Sequence, residues 1–254
     1  MTMAIYWKET KYEFLKRLRV RNFTFSALGF PLMFYVLFGL ALPTGHILGL
    51  SAPTYLLAAY GTFGVMGVCL FGFGVALAIE RGQGWLELKQ ASPMPIGAYF
   101  VAKVTTCLLF SAVLVGLLFA LGLSLGHVQL PIMGFLRLAS TLMAGAIPFA
   151  ALGLFLGYVA NASSAPSFLN MIYLPMSICS GLWIPLEVLP KAMQRAAPFL
   201  PPYHLRQLAL HVIGAENSGG YWIHWEALAG FTLLFLGLAR LVYRREQSWV
   251  NGVA

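Results

Sequence analysis

Long apolar stretches separated by short polar segments run through the whole chain. A membrane-spanning helix needs about 20 mostly apolar residues, and this criterion predicts six spans. They cover residues 23–42, 54–79, 104–125, 138–160, 167–184 and 222–243. The polar run at 161–166 separates the fourth span from the fifth, because it interrupts an otherwise uncharged stretch with a typical loop composition. The predicted fold class is an all-α membrane protein that forms one domain over residues 1–254.

The segment before the first span has a different pattern. Met3, Trp7, Phe14 and Leu18 recur at steps of four, seven and four, which places them on one face of a helix. Lys and Glu occupy most of the remaining positions. This pattern predicts a basic amphipathic helix that lies in the membrane interface. The alternative is a solvated helix that docks on a partner.

The connection 187–220 between the fifth and sixth spans is rich in proline. Pro190, Pro198, Pro201 and Pro202 break it into pieces too short to cross a membrane, since proline removes a donor and clashes inside a helix. Non-helical backbone at membrane depth is tolerated only where protein or water satisfies it. We therefore expect a re-entrant or interfacial helical hairpin on the outer side.

Composition and charge support a membrane location. Only 9% of the residues are charged, whereas a soluble domain carries about 25%. The formal net charge is +8, but the basic residues lie mostly at the ends of apolar segments, so anionic lipid explains them better than nucleic acid does. Twelve Lys and Arg fall on one predicted side and four on the other. The positive-inside rule then predicts a multi-pass protein with both termini in the cytoplasm.

The chain lacks the motifs of an energy-coupling enzyme. It contains no Asp and no phosphate-binding Gly-x-x-x-x-Gly-Lys-Ser/Thr sequence. Among the carboxylates, only Glu226 falls within a predicted span, and proton-coupled carriers usually keep ionisable groups deep in the membrane. Three cysteines in apolar stretches do not suggest a metal site. We expect no cofactor in this chain and an energy source outside it.

The most informative motif follows the second span. Residues 80–95 read Glu-Arg-Gly-Gln-Gly-Trp-Leu-Glu-Leu-Lys-Gln-Ala-Ser-Pro-Met-Pro. This segment resembles the pattern Glu-Arg-x-x-Gly-Thr-Leu-Glu-x-Leu-x-x-Ser-Pro-Met/Leu of the ABC-2 type permeases of ATP-binding cassette exporters, with Trp85 in place of the usual Thr. The segments Ser-Gly-Leu-Trp-Ile-Pro-Leu-Glu-Val-Leu-Pro at 180–190 and Phe-Leu-Pro-Pro-Tyr at 199–203 resemble the family's fifth span and outer hairpin.

The resemblance implies a bacterial plasma-membrane subunit that works as a homodimer or with a sister permease. Two copies of a separate cytoplasmic ATPase subunit would bind ATP and Mg, and the segment 80–95 would be the coupling helix region that contacts them. The residues that would carry this role are Glu80, Arg81, Gly84, Leu86, Glu87, Lys89, Ser92 and Pro93. The alternative is an ordinary positively charged inner loop.

Two further groups of residues are functional candidates. Asn170, Tyr173 and Ser177 share one face of the fifth span, where they either line the export path or dimer interface or form hydrogen bonds between helices.

His204 and His211 are seven residues apart, on one predicted helix face near the outer side. They are candidates for a pH-sensing or metal-binding role, and the alternative is that they are ordinary interfacial histidines.

The family resemblance implies export, and the aromatic, weakly charged spans favour an amphipathic or hydrophobic cargo such as a drug, a natural product or a lipid. A polysaccharide or lipid-linked glycan is an alternative cargo, because aromatic rings stack on sugars. Two alternatives of another kind are a membrane-embedded lipid-modifying enzyme and a structural or channel subunit without energy input. The enzyme would need a polar catalytic cluster, which the sequence does not show.

Overall fold

A computed structural model describes residues 2–41, 45–91, 94–215 and 220–250. Its α-helices are α1 Thr2–Arg19, α2 Arg21–Phe34, α3 Ala52–Cys69, α4 Ala76–Gly82, α5 Trp85–Ala91, α6 Ile96–Ser124, α7 Ile132–Ala144, α8 Ala146–Val159, α9 Ala165–Cys179, α10 Lys191–Ala196, α11 Pro201–Val212 and α12 Tyr221–Val250. Two π-helical segments cover Tyr35–Ala41 and Leu70–Val75, and two 3₁₀ segments cover Leu186–Val188 and Ala197–Phe199. The mostly helical fold class is confirmed.

A small β-hairpin was not predicted. Strand β1, His46–Ile47, pairs antiparallel with β2, Leu50–Ser51. Leu48 and Gly49 connect them, and both have positive φ values, 51° and 77°. Positive φ at both central residues is typical of a tight two-residue hairpin turn.

Within the described residues, five helical stretches are long and apolar enough to cross a membrane. They are Phe23–Ala41, Ala52–Gly82, Ile96–Ser124, Ile132–Val159 and Tyr221–Arg245. Each agrees with a predicted span, although the third begins eight residues before the predicted start at 104. The stretch from Ala52 is the centre of the bundle, since 83% of its most apolar window is buried, against 11% for the stretch from Tyr221.

In place of the predicted fifth span at 167–184, the structure has a helix that is too short to cross the membrane by itself. α9 has 15 residues, which at about 1.5 Å per residue reach roughly 22 Å, less than the ~30 Å hydrocarbon core. The count of six spans is therefore not confirmed by helix length. α9 nevertheless follows α3 and the π segment after it in the antiparallel direction: a Cβ on Gly74 would touch Leu169 at 2.7 Å, and Tyr173 bonds to the carbonyl of Phe63.

One end of the bundle collects basic residues, and we call it the basic end. It contains α1, α5 and the C-terminal ends of α8 and α12. Arg81, beyond the middle of α4, donates a hydrogen bond of 2.9 Å to the carbonyl of Ala160, which follows α8. The ring of Tyr158 lies 5.6 Å from that of Tyr243 on α12. The N-terminal helix and the C-terminal end of α12 therefore lie at the same end of the bundle.

Short helices form the segment between α9 and α12, as the prolines predicted. α10 has six residues and α11 has twelve, and each begins directly after or at a proline. α11 packs on α3, α7 and α12. It is therefore part of the helical bundle at the end opposite to the basic end.

Glycines allow the closest helix contact in the core. A Cβ on Gly157 of α8 would lie 2.8 Å from the carbonyl oxygen of Gly74, and one on Gly153 would lie 2.9 Å from that of Cys69. Since these neighbours are backbone atoms, no side chain can move away to make room. Small residues four apart permit such close approach between membrane helices.

We expect Gly157→Leu to destabilise the protein by about 1–3 kcal/mol, because overpacking forces the backbones apart. The measurement is the apparent melting temperature of the purified protein in detergent. Gly116→Leu on α6 is a matched control, because a Cβ on Gly116 would meet nothing within 4 Å. Equal melting temperatures for the two variants would contradict the role of this contact.

Candidate functional site

A buried ionic cluster lies at the basic end, where α1 packs against α4, α5 and α6. Lys103 on α6 is only 1% exposed. Its ammonium donates to Glu13 of α1 at 2.5 Å and to Glu80 of α4 at 2.9 Å. One cation therefore joins three helices, and each buried charge has an opposite charge beside it.

Glu80 accepts two further hydrogen bonds. The hydroxyl of Tyr99 donates to it at 2.6 Å, and so does the ammonium of Lys16 at 2.6 Å. With Lys103, this makes three donors on one carboxylate that is 5% exposed. Such complete pairing offsets the cost of burying a charge.

Two other pairs extend the cluster along α1. Lys89 of α5 donates to Glu9, and its ammonium lies 4.8 Å from the centre of the Tyr99 ring. Arg17 lies 3.5 Å from Glu13 within α1. The side of α1 that carries Glu9, Glu13 and Arg17 thus faces the protein, and α5 contacts this side through Lys89.

Arg81, which the family resemblance places in the ATPase contact, points into its own chain. Its guanidinium donates to the carbonyls of Tyr158 and Ala160 at the end of α8. The last carbonyls of a helix lack intrahelical partners and carry partial negative charge, so a cation there stabilises the helix end. In this structure Arg81 connects α4 to α8.

The short helix α5 presents an outward face. Gly84 precedes it with a φ of +75°, a left-handed conformation that favours glycine. Leu86 packs into the core, whereas Trp85 is 53% and Leu88 is 62% exposed. Glu87 between them is also exposed. Ser92 and Pro93, the other two residues predicted for this role, lie outside the described residues.

The predicted apolar face of α1 is mostly uncovered in the single chain. Met3, Trp7 and Leu18 are 87%, 73% and 48% exposed. Phe14 differs, because it is partly buried and its ring lies 5.1 Å from that of Phe110 on α6. An uncovered apolar stripe beside the docked polar side is the arrangement expected of an interfacial helix, and the membrane placement stays a prediction.

The three polar residues of α9 do not all face the same surroundings. The hydroxyl of Tyr173 donates to the carbonyl of Phe63 at 3.1 Å, and that of Ser177 donates to Leu174 at 2.8 Å. Both residues are buried, and the Tyr173 bond fits the alternative of hydrogen bonding between helices. Asn170 is exposed, so it is the member of the group that is available to a second molecule.

At the opposite end of the bundle, α11 makes polar contacts with α3 and α12. Arg206 of α11 is 1% exposed and donates to the hydroxyl of Tyr55 on α3. His204 pairs with His224 of α12, with 2.9 Å between their Nδ1 atoms, and not with His211. Because its Nε2 donates to the Pro198 carbonyl at 2.8 Å, its Nδ1 accepts from His224. Burial lowers the pKa of His204, and the Pro198 bond partly offsets this.

The sequence-based view of charges in the spans was wrong in one respect. Glu226 was expected to be the only carboxylate in a span, but the second membrane stretch continues to Gly82 and includes Glu80. Lys103, which precedes the predicted third span at 104–125, lies in α6, which begins at Ile96. A lysine within an apolar helix was the available signal, since such a residue requires a partner.

The α1 residues that pair with this cluster are more weakly indicated in the sequence. Glu9, Glu13 and Arg17 recur every four residues and so share a helix face. Their spacing shows that a charged side exists, but not which helix it meets. No group of three or more potential metal ligands occurs in the described parts of the chain.

Comparison with known proteins identifies the family of this chain. The sequence profile of the ABC-2 type transporter family matches residues 6–213. A Bacillus subtilis (strain 168) protein, named "Putative transport permease YvfS", is 24% identical over 246 residues, which cover 97% of this chain and 100% of that protein. The family match covers α1 from residue 6 onward, the ionic cluster and all of α2 to α11. The chain belongs to the ABC-2 type transporter family.

Proposed function

We propose that the chain is the membrane-spanning permease subunit of an ATP-binding cassette exporter, docked to a separate ATPase subunit through α5. The observation that carries this proposal is the outward face of α5, which is formed by Trp85, Glu87 and Leu88. The ionic cluster holds the opposite side of α5 in place through Lys89 and Glu9. Exposed apolar side chains beside a charge, on a rigid support, are typical of a protein contact surface.

The ionic cluster gives the proposed contact a mechanical function. Force applied to α5 by a closing ATPase reaches α1 through Lys89 and Glu9, and reaches α6 through Tyr99 and Lys103. Arg81 carries the same displacement to the end of α8. The basic end would therefore move as one body, as a coupling device requires.

We place the basic end in the cytoplasm and propose six crossings. The clustering of basic residues there supports this orientation. α9 and the turn after it run alongside the π segment and α3, from Gly74 past Phe63. Gly181, in that turn, lies near Arg206, and Arg206 contacts Tyr55 at the start of α3. α9 and this turn together would reach most of the way across the membrane. With six crossings, both termini face the cytoplasm.

A second copy would cover the exposed face of α9. Asn170 is exposed there beside Met171, which is 68% exposed. An amide facing lipid has no hydrogen-bond partner, which is costly in hydrocarbon. A dimer in which Asn170 meets its counterpart, or lines a path with water, removes this cost.

An amphipathic or hydrophobic cargo moving out of the cytoplasm fits the structure better than a glycan. The aromatic rings of Tyr60, Phe63 and Tyr173 are buried and pack on one another, so they offer no free surface for sugar stacking. The polar cluster at the basic end consists of mutually paired Lys and Glu, which does not resemble the catalytic cluster of a lipid-modifying enzyme.

We expect the variants Glu87→Arg and Trp85→Ala with Leu88→Ala to lose the ATPase subunit while the membrane fold is retained. The test is co-purification in detergent with an ATP-binding cassette ATPase subunit expressed from the same genome. Lys11→Glu, on the exposed side of α1, is the control and should retain the partner. Full retention by both docking variants would refute the proposed contact.

Charge exchange tests the connection between α5 and α1. Glu9→Lys or Lys89→Glu alone places like charges next to each other. We expect either variant to lower the permease-dependent ATPase rate of the assembled complex about five-fold, because a partly exposed ion pair contributes about 1 kcal/mol. The double variant restores the opposite charges and should recover most of the rate. Unchanged rates in both single variants would show that the pair has no coupling role.

Cysteine cross-linking tests the dimer face. In a cysteine-free background, Asn170→Cys should give a disulfide-linked dimer in membranes, because Cα atoms near a two-fold axis come within about 7 Å. Leu233→Cys on α12, a residue that is 72% exposed, is the matched control and should stay monomeric. The reverse result would place the second copy on α12.

A further inference from the structure

An apolar groove lies on the side of the bundle, and no residue of α9 lines it. Its volume is about 290 Å³, and it is enclosed by α6, α8, α12 and the π segment after α3. Phe73, Ala150 and Ala151 form its floor and are 1%, 4% and 4% exposed. Its rim is open, because Val101 and Leu236 are 46% and 44% exposed.

The chemistry of the lining selects a hydrocarbon ligand. Apart from Thr105 and Thr232, every lining side chain is a hydrocarbon. The hydroxyl of Thr232 already donates to the carbonyl of Leu228 at 2.8 Å. A polar ligand would therefore lose its water without gaining hydrogen bonds, whereas an apolar one gains contacts.

The size of the groove favours a single chain over a bulky molecule. Drug-sized ligands occupy pockets of about 300–1,000 Å³, so this groove lies at the lower limit. An apolar cavity of about 150 Å³ holds one benzene ring, and the groove has about twice that volume. A flexible acyl chain fits such a narrow space, and the open rim lets it enter sideways from the bilayer.

The groove points towards the basic end. Thr232 and Leu236 lie one turn apart on α12, and the next turn carries Arg240. Arg240 is exposed, and no acidic side chain pairs with it within the described ranges. On α6 the lining residues run from Thr105 back to Phe100, near the start of the helix at the same end.

We propose that this groove binds one acyl chain of an anionic phospholipid from the bilayer, with the phosphate of its headgroup paired to Arg240. The apolar floor holds the chain, and the guanidinium at the surface selects a negative headgroup. The bound lipid fills the space between α6, α8 and α12 on the outside of the bundle. This site is separate from the α5 contact and from the α9 face.

The test is electron paramagnetic resonance of spin-labelled phospholipids with the full-length protein in phosphatidylcholine nanodiscs. We expect spin-labelled phosphatidylglycerol to be immobilised about five-fold more strongly than spin-labelled phosphatidylcholine, as one basic residue near the surface predicts. Arg240→Gln should reduce the ratio to about one-fold, because headgroup selection is lost. Arg137→Gln, which removes an exposed arginine on α7, is the matched control and should leave the ratio unchanged.

A second variant tests the acyl-chain part of the site. Ala151→Phe fills the floor and should remove the immobilised lipid. Leu233→Phe, which adds a ring at an exposed position of α12 outside the groove lining, should not. A lipid ratio that is unchanged in Arg240→Gln, or immobilised lipid that persists in Ala151→Phe, would overturn the proposal.

Photo-crosslinking of the unaltered chain avoids any folding defect. Phosphatidylglycerol with a diazirine in its acyl chain should label peptides of α6 and α12 that contain Val101 and Leu236. Labelling spread evenly over the exposed helices would overturn the proposal. So would recovery from the groove of a compound that is not a phospholipid, since the occupant would then be cargo.

Discussion

The buried carboxylate of Glu80 is the constraint on which the basic end of this protein depends. A negative charge at the end of a membrane helix is stable only if cations and donors surround it. Here Lys103, Lys16 and Tyr99 supply them from two other helices. Their arrangement fixes where α1 lies, where α6 begins and how α5 is presented. Removing Lys103 would take away the cation that Glu80 and Glu13 share, so the three helices are interdependent.

Much of the fold could be predicted from the sequence because the membrane imposes a simple rule. Apolar runs of sufficient length located five stretches, and the prolines after α9 correctly predicted short helices. The bounds were less accurate for α6, which begins eight residues before the predicted start at 104. α6 begins at Ile96 because its first turns, including Tyr99 and Lys103, pack against α1 and α4.

The candidate site could be predicted only in part. The resemblance identified the segment at 80–95, and α5 indeed exposes Glu87 and flanking apolar residues. It did not distinguish residues that face outward from those that hold the segment in place, so Arg81 and Lys89 were grouped with Glu87. Such a distinction depends on contacts between residues about 80 positions apart, such as Lys89 with Glu9, and helical periodicity carries no information about them.

The contact between glycine backbones in the core also restricts how the molecule can change shape. Gly153 and Gly157 bring α8 against the π segment with no side chain between them. Because backbone atoms of the two segments are already in contact, the segments cannot approach more closely. Tilting one against the other would cause a steric clash between the same atoms. The second and fourth spans therefore have to travel as a rigid plate. Any change in the shape of the bundle would then occur where the other helices meet this rigid pair.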